Sequence, residues 1–346
     1  MPPPSKALAR SAFAHGTARL LPVLLCAVVL VACASPTTRL RAFAEERGFE
    51  RRTLVAGGFE LTAFENGALR EKARIRGRTR TRSEPSRDLS ADTGQAALHV
   101  YLEGDGTPWL YKVIVMPDPT PRHPLMLGLM ALDRTPAVYV GRPCYNGTSL
   151  EASCDDTLWT SARYSDAVVE SMAEAIRALA ERHGFEALRL FGHSGGGTLA
   201  MLLAARLPDT LDVVTVAGNL DPDAWTRHHG YTPLRESINP AEEPALGERV
   251  GQWHLVGGAD RVVPPALVKP FIGTGTRTTG VIFPTFSHGC CWQRVWPGIL
   301  RAVRRDQPGL LPGNVFRRAA PRSRTRAPLD SLPGRPAPRA SVRGDR

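Results

Sequence analysis

LRLFGHSGGGTLAMLLAAR, residues Leu188 to Arg206, decides how the rest of this chain is read. An apolar run ends in Gly192-His193-Ser194-Gly195-Gly196, and the chain passes at once into an almost wholly apolar segment of helical length, Thr198 to Arg206. Apolar runs parted by such glycine punctuation read as buried strand, tight turn and buried helix. Ser194 stands on the turn, with Gly192 two residues before it and Gly196 two residues after. Glycine at those places lets strand and helix close on one another, and it leaves the serine hydroxyl clear of both, in a backbone conformation that side chains ordinarily avoid.

The G-x-S-x-G pattern, in that strand-turn-helix setting, resembles the nucleophile elbow of the α/β-hydrolases. The resemblance implies an α/β fold with a mostly parallel central sheet flanked by helices and a small insertion after the sixth strand. It runs from about Arg51 to Arg304 in the order the family uses. Upstream of the elbow, Ala96 to Leu102 is a buried strand that enters Glu103-Gly104-Asp105-Gly106-Thr107-Pro108-Trp109. In the family, the loop after the third strand gives one oxyanion-hole amide and the residue after the nucleophile gives the other. By position these are Asp105 or Gly106, and Gly195; Glu103 stands where the HGGG form of the loop has histidine. Trp109 and His193 are candidates for the substrate pocket.

Downstream, Leu211 to Ala217 is apolar throughout, as a parallel strand covered on both faces should be. Trp253 to Val256 is a further strand, followed by Gly257-Gly258-Ala259-Asp260, and Val281 to Phe283 reads as the last strand, followed by Ser287-His288-Gly289. These loops resemble those that carry the acid and the base, so the implied triad is Ser194, Asp260 and His288. Asp221, after the preceding strand, is the rival acid. In such a triad the imidazole takes the serine proton during attack and returns it to the leaving group, while the aspartate fixes the imidazole tautomer.

Three further segments fill out the sheet and its cover. Arg51 to Gly67 reads as two strands parted by Gly57-Gly58 with a turn at Asn66-Gly67; Ser165 to His183 reads as an amphipathic helix stopped by Gly184; Ala137 to Val140 reads as a central strand. Arg74, Arg76, Arg78, Arg80 and Arg82 alternate, which suits an extended, solvated edge. Asn219 to Pro244, the insertion, contains Trp225, His228, His229 and Tyr231 but no clear periodicity.

The ends differ in composition from the middle. Lys6, Arg10 and Arg19 precede an apolar run, Leu20 to Ala32, of signal-peptide length, and Leu30-Val31-Ala32-Cys33 resembles the lipobox of bacterial lipoproteins. That resemblance implies removal of residues 1–32, lipidation of Cys33 and a membrane anchor, with Ala34 after the cysteine favouring an outer-membrane location facing the periplasm. The organisation expected is then a tether over 33–46, a hydrolase domain over 47–306 and a disordered basic tail over 307–346. An oxidising compartment suits a disulfide between Cys144 and Cys154, while the sequence does not choose a partner for Cys290 or Cys291.

The net charge of +11 excludes less than its size suggests. Nine arginines between Arg317 and Arg346 face only Asp330 and Asp345, so most of the excess lies in the tail, where no aromatic residues are interleaved to stack bases. A nucleic-acid partner is not expected. No metal cluster, phosphate loop or dinucleotide fingerprint is present in the sequence, and no cofactor is expected. The function implied is a carboxylesterase-like serine hydrolase acting on a small-molecule ester or acyl substrate. The alternatives are a peptidase, amidase or acyltransferase working on envelope components, and a non-catalytic envelope lipoprotein that keeps the fold for binding.

Overall fold

The computed structural model describes residues 35–80, 96–272, 275 and 277–317. In chain order the elements are α1 (Pro36–Glu46), β1 (Glu50–Ala56), β2 (Phe59–Glu65), α2 (Gly67–Arg80), β3 (Leu98–Leu102), β4 (Trp109–Leu110), β5 (Ile114–Val115), α3 (Leu125–Met130) and β6 (Ala137–Val140). They continue as α4 (Asp166–His183), β7 (Leu188–His193), α5 (Gly195–Arg206), β8 (Thr210–Val216), α6 (Pro222–His229), β9 (Gly251–Gly257), α7 (Pro265–Val268), β10 (Thr278–Phe283), α8 (Trp292–Arg305) and β11 (Asn314–Arg317).

Nine strands form one sheet in the order β1-β2-β6-β3-β7-β8-β9-β10-β11, and β4 pairs with β5 in a separate hairpin. The pairs from β6 through β10 are parallel; β1 with β2, β2 with β6, and β10 with β11 are antiparallel. An antiparallel lead hairpin, a crossover that puts β6 between β2 and β3, and then strands added outward from β7 make this an α/β-hydrolase fold. The segment between β8 and β9, which contains α6, is the insertion after the sixth strand of that plan.

Alternation along the strands feeds two cores, because successive side chains point to opposite faces. Leu98, Val100, Leu190 and Val213 pack with Val168, Met172, Leu199 and Leu203 of α4 and α5. Tyr101, Phe191, Val214 and Leu255 pack with residues of α1, α3 and α8, including Leu40, Leu127, Trp296 and Ile299. The central strands are therefore apolar on both faces, and their continuous hydrophobic runs follow from that.

The structure corrects the sequence reading in three places. Residues 36–46 are not a tether: α1 is capped by Ser35, whose side chain accepts the Thr38 amide, and it buries Leu40 and Ala44 in the second core. Of the alternating arginines, Arg74, Arg76, Arg78 and Arg80 are not extended but lie on α2, which starts where Asn66 Oδ1 accepts the Leu69 amide at 2.9 Å, while Arg82 lies outside the described residues. An Asn side chain that caps a helix competes with the Asn-Gly turn that the same dipeptide suggests. The ordered domain also does not stop at 306, since β11 joins the sheet through the register Val281↔Val315. Cys33 and residues 318–346 lie outside the described residues.

Candidate active site

The elbow is built by close approach. A Cβ on Gly192 would strike the carbonyl of Gly196, and one on Gly196 would strike that of Leu102, so neither position can carry a side chain without prising α5 from the sheet. Between them Ser194 is held at φ 52° and ψ −121°, a conformation sparsely populated by L-residues. Its amide donates to the Val216 carbonyl at 3.0 Å, and its carbonyl accepts from Gly197 at 2.9 Å and Asn219 at 3.0 Å. These bonds from β8 and α5 hold the turn in its strained form.

Asp260, after β9, and His288, after β10, meet at the same end of the sheet. His288 Nδ1 lies 2.8 Å from Asp260 Oδ2, and the other carboxylate oxygen accepts the amides of Val262 at 2.8 Å and Val263 at 2.9 Å. Asp260 is buried and His288 partly exposed. A carboxylate can only accept, so it selects the tautomer with the proton on Nδ1 and leaves Nε2 free to take one. The His288 carbonyl is itself pinned, accepting His193 Nε2 at 3.0 Å and Trp292 Nε1 at 3.1 Å. The rival acid is engaged elsewhere: Asp221 caps α6 through the Ala224 amide at 2.9 Å and accepts Asn239 Nδ2 at 3.0 Å.

Ser194, His193 and His288 line one cavity of about 920 Å³, together with Gly104, Asp105, Gly106 and Trp109. Of the oxyanion candidates, Gly195 opens α5, whose first-turn amides have no acceptor within the helix. The loop carrying Asp105 and Gly106 lies against the elbow, for a Cβ on Gly104 would come within 3.4 Å of the Ser194 Cβ. Trp225, Tyr231 and Leu234 of the insertion form part of the cavity wall.

A buried charge cluster under this loop escaped the sequence reading. The Asp105 carboxylate accepts Tyr164 Oη at 2.7 and 2.8 Å, and it pairs with Arg142 Nη1 at 2.8 Å and Arg163 Nη1 at 3.0 Å. Burial alone would raise the pKa of this carboxyl, but the two guanidiniums and the phenol outweigh it and hold it at about 2. Arg142 Nη2 also donates to the Glu103 carbonyl at 3.0 Å, so the cluster fixes the loop on both sides of Gly104. Arg142 stands two residues before Cys144, and nothing in the sequence separates a buried arginine from a solvated one. The disulfide between Cys144 and Cys154, with Cα atoms 5.6 Å apart, closes the segment that follows Arg142. The other two cysteines among the described residues, Cys290 and Cys291, pair with each other directly after the base loop.

Two more groups connect the loops. Burial pushes the Glu103 carboxyl up to about 7, although it accepts the Met126 amide at 2.9 Å. Burial, and then the neighbouring His288, push His193 down to about 3. The ring of His193 is therefore neutral at ordinary pH, and with Nε2 donating to the His288 carbonyl its Nδ1 faces Glu103 Oε1 at 3.8 Å. Among the described residues no group of three or more His, Cys, Asp or Glu side chains could hold a metal ion.

No family model and no curated protein matches the chain. Solved structures similar to it include puromycin hydrolase, as an S511A mutant complexed with PGG, at 17% identity and a TM-score of 0.49 over 79% of this chain. The match takes in 40% of that enzyme, so the chain spans less than half its length. The Pyrococcus furiosus esterase Pf2001 is similar at 10% identity and a TM-score of 0.45, covering 76% of this chain and 92% of the esterase. A membrane phospholipase A described as a bacterial virulence factor is similar at 16% identity and a TM-score of 0.42, covering 83% and 98%.

Proposed function

We propose that this protein is a serine hydrolase that cleaves carboxylic esters through an acyl-enzyme. The observation that carries the reading is that Ser194, strained at φ 52°, shares its cavity with a histidine whose Nδ1 is held 2.8 Å from a buried aspartate. A serine hydroxyl is a weak nucleophile until a base accepts its proton during attack. Nε2 of His288 is that base, and Asp260 stabilises the imidazolium that results. The carbonyl oxygen of the substrate becomes an oxyanion, met by the amide of Gly195 and by that of Asp105 or Gly106. The tetrahedral intermediate then expels the alcohol, which takes its proton from His288, and the acyl group remains on Ser194. Water, deprotonated by His288, attacks the acyl-enzyme and releases the acid.

Fluorophosphonate labelling tests the reading at its centre. One adduct is expected, mapped by mass to Ser194, lost in Ser194→Ala and strongly reduced in His288→Ala. p-Nitrophenyl esters of graded chain length, set against peptide anilides, then separate ester from amide hydrolysis; faster turnover of the anilides would replace the esterase by a peptidase or amidase. A folded, disulfide-intact protein that takes no label would instead be a binding protein on a hydrolase scaffold. We also infer that the protein works at the cell envelope, anchored through Cys33, on the strength of the Leu30-Val31-Ala32-Cys33 match.

A further inference from the structure

The cavity wall around Ser194 is unevenly charged. Two carboxylates line it, Glu103 and Asp105, and neither presents a free negative charge. Asp105 is ion-paired to both Arg142 and Arg163, and burial keeps Glu103 substantially protonated near neutral pH, at about 7. Lys112 and Arg122 also line the cavity, both exposed, and neither has an acidic partner among the described residues.

The hairpin that carries Lys112 is built at a cost. Leu110 and Val113 close its turn by a backbone bond of 3.2 Å, and both residues between them have positive φ, Tyr111 at 53° and Lys112 at 64°. Such turns ordinarily use Asn-Gly, because side chains larger than Asn are disfavoured in the left-handed region. Strain of this kind clusters at binding and catalytic sites. Its effect here is to bring the Lys112 ammonium to 4.9 Å from the ring centre of Tyr231, in the insertion on the cavity wall. The cation, though exposed, thereby stands beside the cavity. Tyr231 in turn packs on Trp225, with ring centres 5.1 Å apart, so an apolar wall adjoins the charge.

Building on the hydrolase reading, we propose that the cavity selects acyl esters carrying an anionic group, a carboxylate or a phosphate, which Lys112 and Arg122 hold while Trp109 and Trp225 cover the apolar part. A neutral ester fills the same apolar surface but gives neither cation an anionic partner. The preference belongs in KM and weakens with salt, since exposed charges are screened at ionic strengths above about 0.1 M.

The test compares p-nitrophenyl hexanoate with its ω-carboxylate and ω-phosphate counterparts for the acyl side, and phenyl hexanoate with carboxyphenyl hexanoate for the leaving-group side. In the wild type at low salt, at least one anionic ester should exceed its neutral partner about tenfold in kcat/KM, through KM. In Lys112→Met/Arg122→Gln that ratio should fall to near one, and in Lys112→Glu/Arg122→Glu it should invert. The arm that responds identifies which anion is held and on which side of the ester. A ratio near one in every wild-type arm, or a preference that survives in both double variants, overturns the anion site. The hydrolase reading fails separately, by absence of fluorophosphonate adduct at Ser194. The anion site is then judged by calorimetric binding of the same ester pairs to Ser194→Ala protein, where equal affinities for anionic and neutral esters overturn it.

Discussion

At the scale of single residues, the site separates two aspartates that the sequence offered as rivals. Asp260 spends one oxygen on backbone amides and the other on His288, whereas Asp221 caps α6 and accepts from Asn239. Asp260→Asn removes the acceptor that selects the Nδ1-H tautomer, and kcat should fall about 10⁴-fold. Asp221→Asn replaces one good helix cap by another, and esterase turnover should stay within a few-fold of wild type. Reversal of that pair in a kinetic comparison would transfer the acid to Asp221. Glu103 supplies a pH test. Its folded pKa, about 7, lies above the ordinary 4.5, so the fold favours the protonated form. The stability it contributes is therefore complete below about pH 4.5 and is lost as pH rises through 7. Glu103→Gln cannot titrate. Between those limits the wild type should lose on the order of 3 kcal/mol relative to the variant, read by urea unfolding at both ends. A gap independent of pH would mean that folding does not raise the Glu103 carboxyl above its ordinary range.

At the scale of elements, the positions of the functional loops follow from the sheet. Parallel strands all point their C-terminal ends the same way, so the loops after β3, β7, β9 and β10 gather at one edge. Four segments scattered over the sequence thus become one site. The less expected element is α1, which looks like a linker because its only large apolar residues are Leu40 and Phe43. Leu40 is fully buried there, packed in the core shared with Tyr101 and Trp296. Leu40→Ala should cost about 2–5 kcal/mol in chemical denaturation, the usual range for emptying a buried leucine site. A loss below about 0.5 kcal/mol, typical of surface positions, would restore the tether reading.

At the scale of the whole molecule, the domain stands between two ends of different character. The anchor proposed at Cys33 has a direct test: Cys33→Ser should abolish incorporation of labelled palmitate and move the protein from the membrane fraction to the soluble one. Unchanged labelling would refute the anchor. The sequence by itself determined the central strands, the helices that cover them and the elbow turn, and it pointed to Ser194, Asp260 and His288, because those depend on local pattern: apolar runs long enough to cross a buried sheet, and glycines where backbones touch. Tertiary structure alone decided what depends on partners distant in the chain. Whether α1 is linker or core turns on the surface that Leu40 meets, not on its neighbours in sequence. The arginines of α2 alternate in the sequence, yet a capping Asn66 and the helix it starts override that period. Arg142 and Arg163 are indistinguishable from solvated arginines until Asp105 and Tyr164 are brought against them, since burial of a charge is a property of the packed fold and not of the residue.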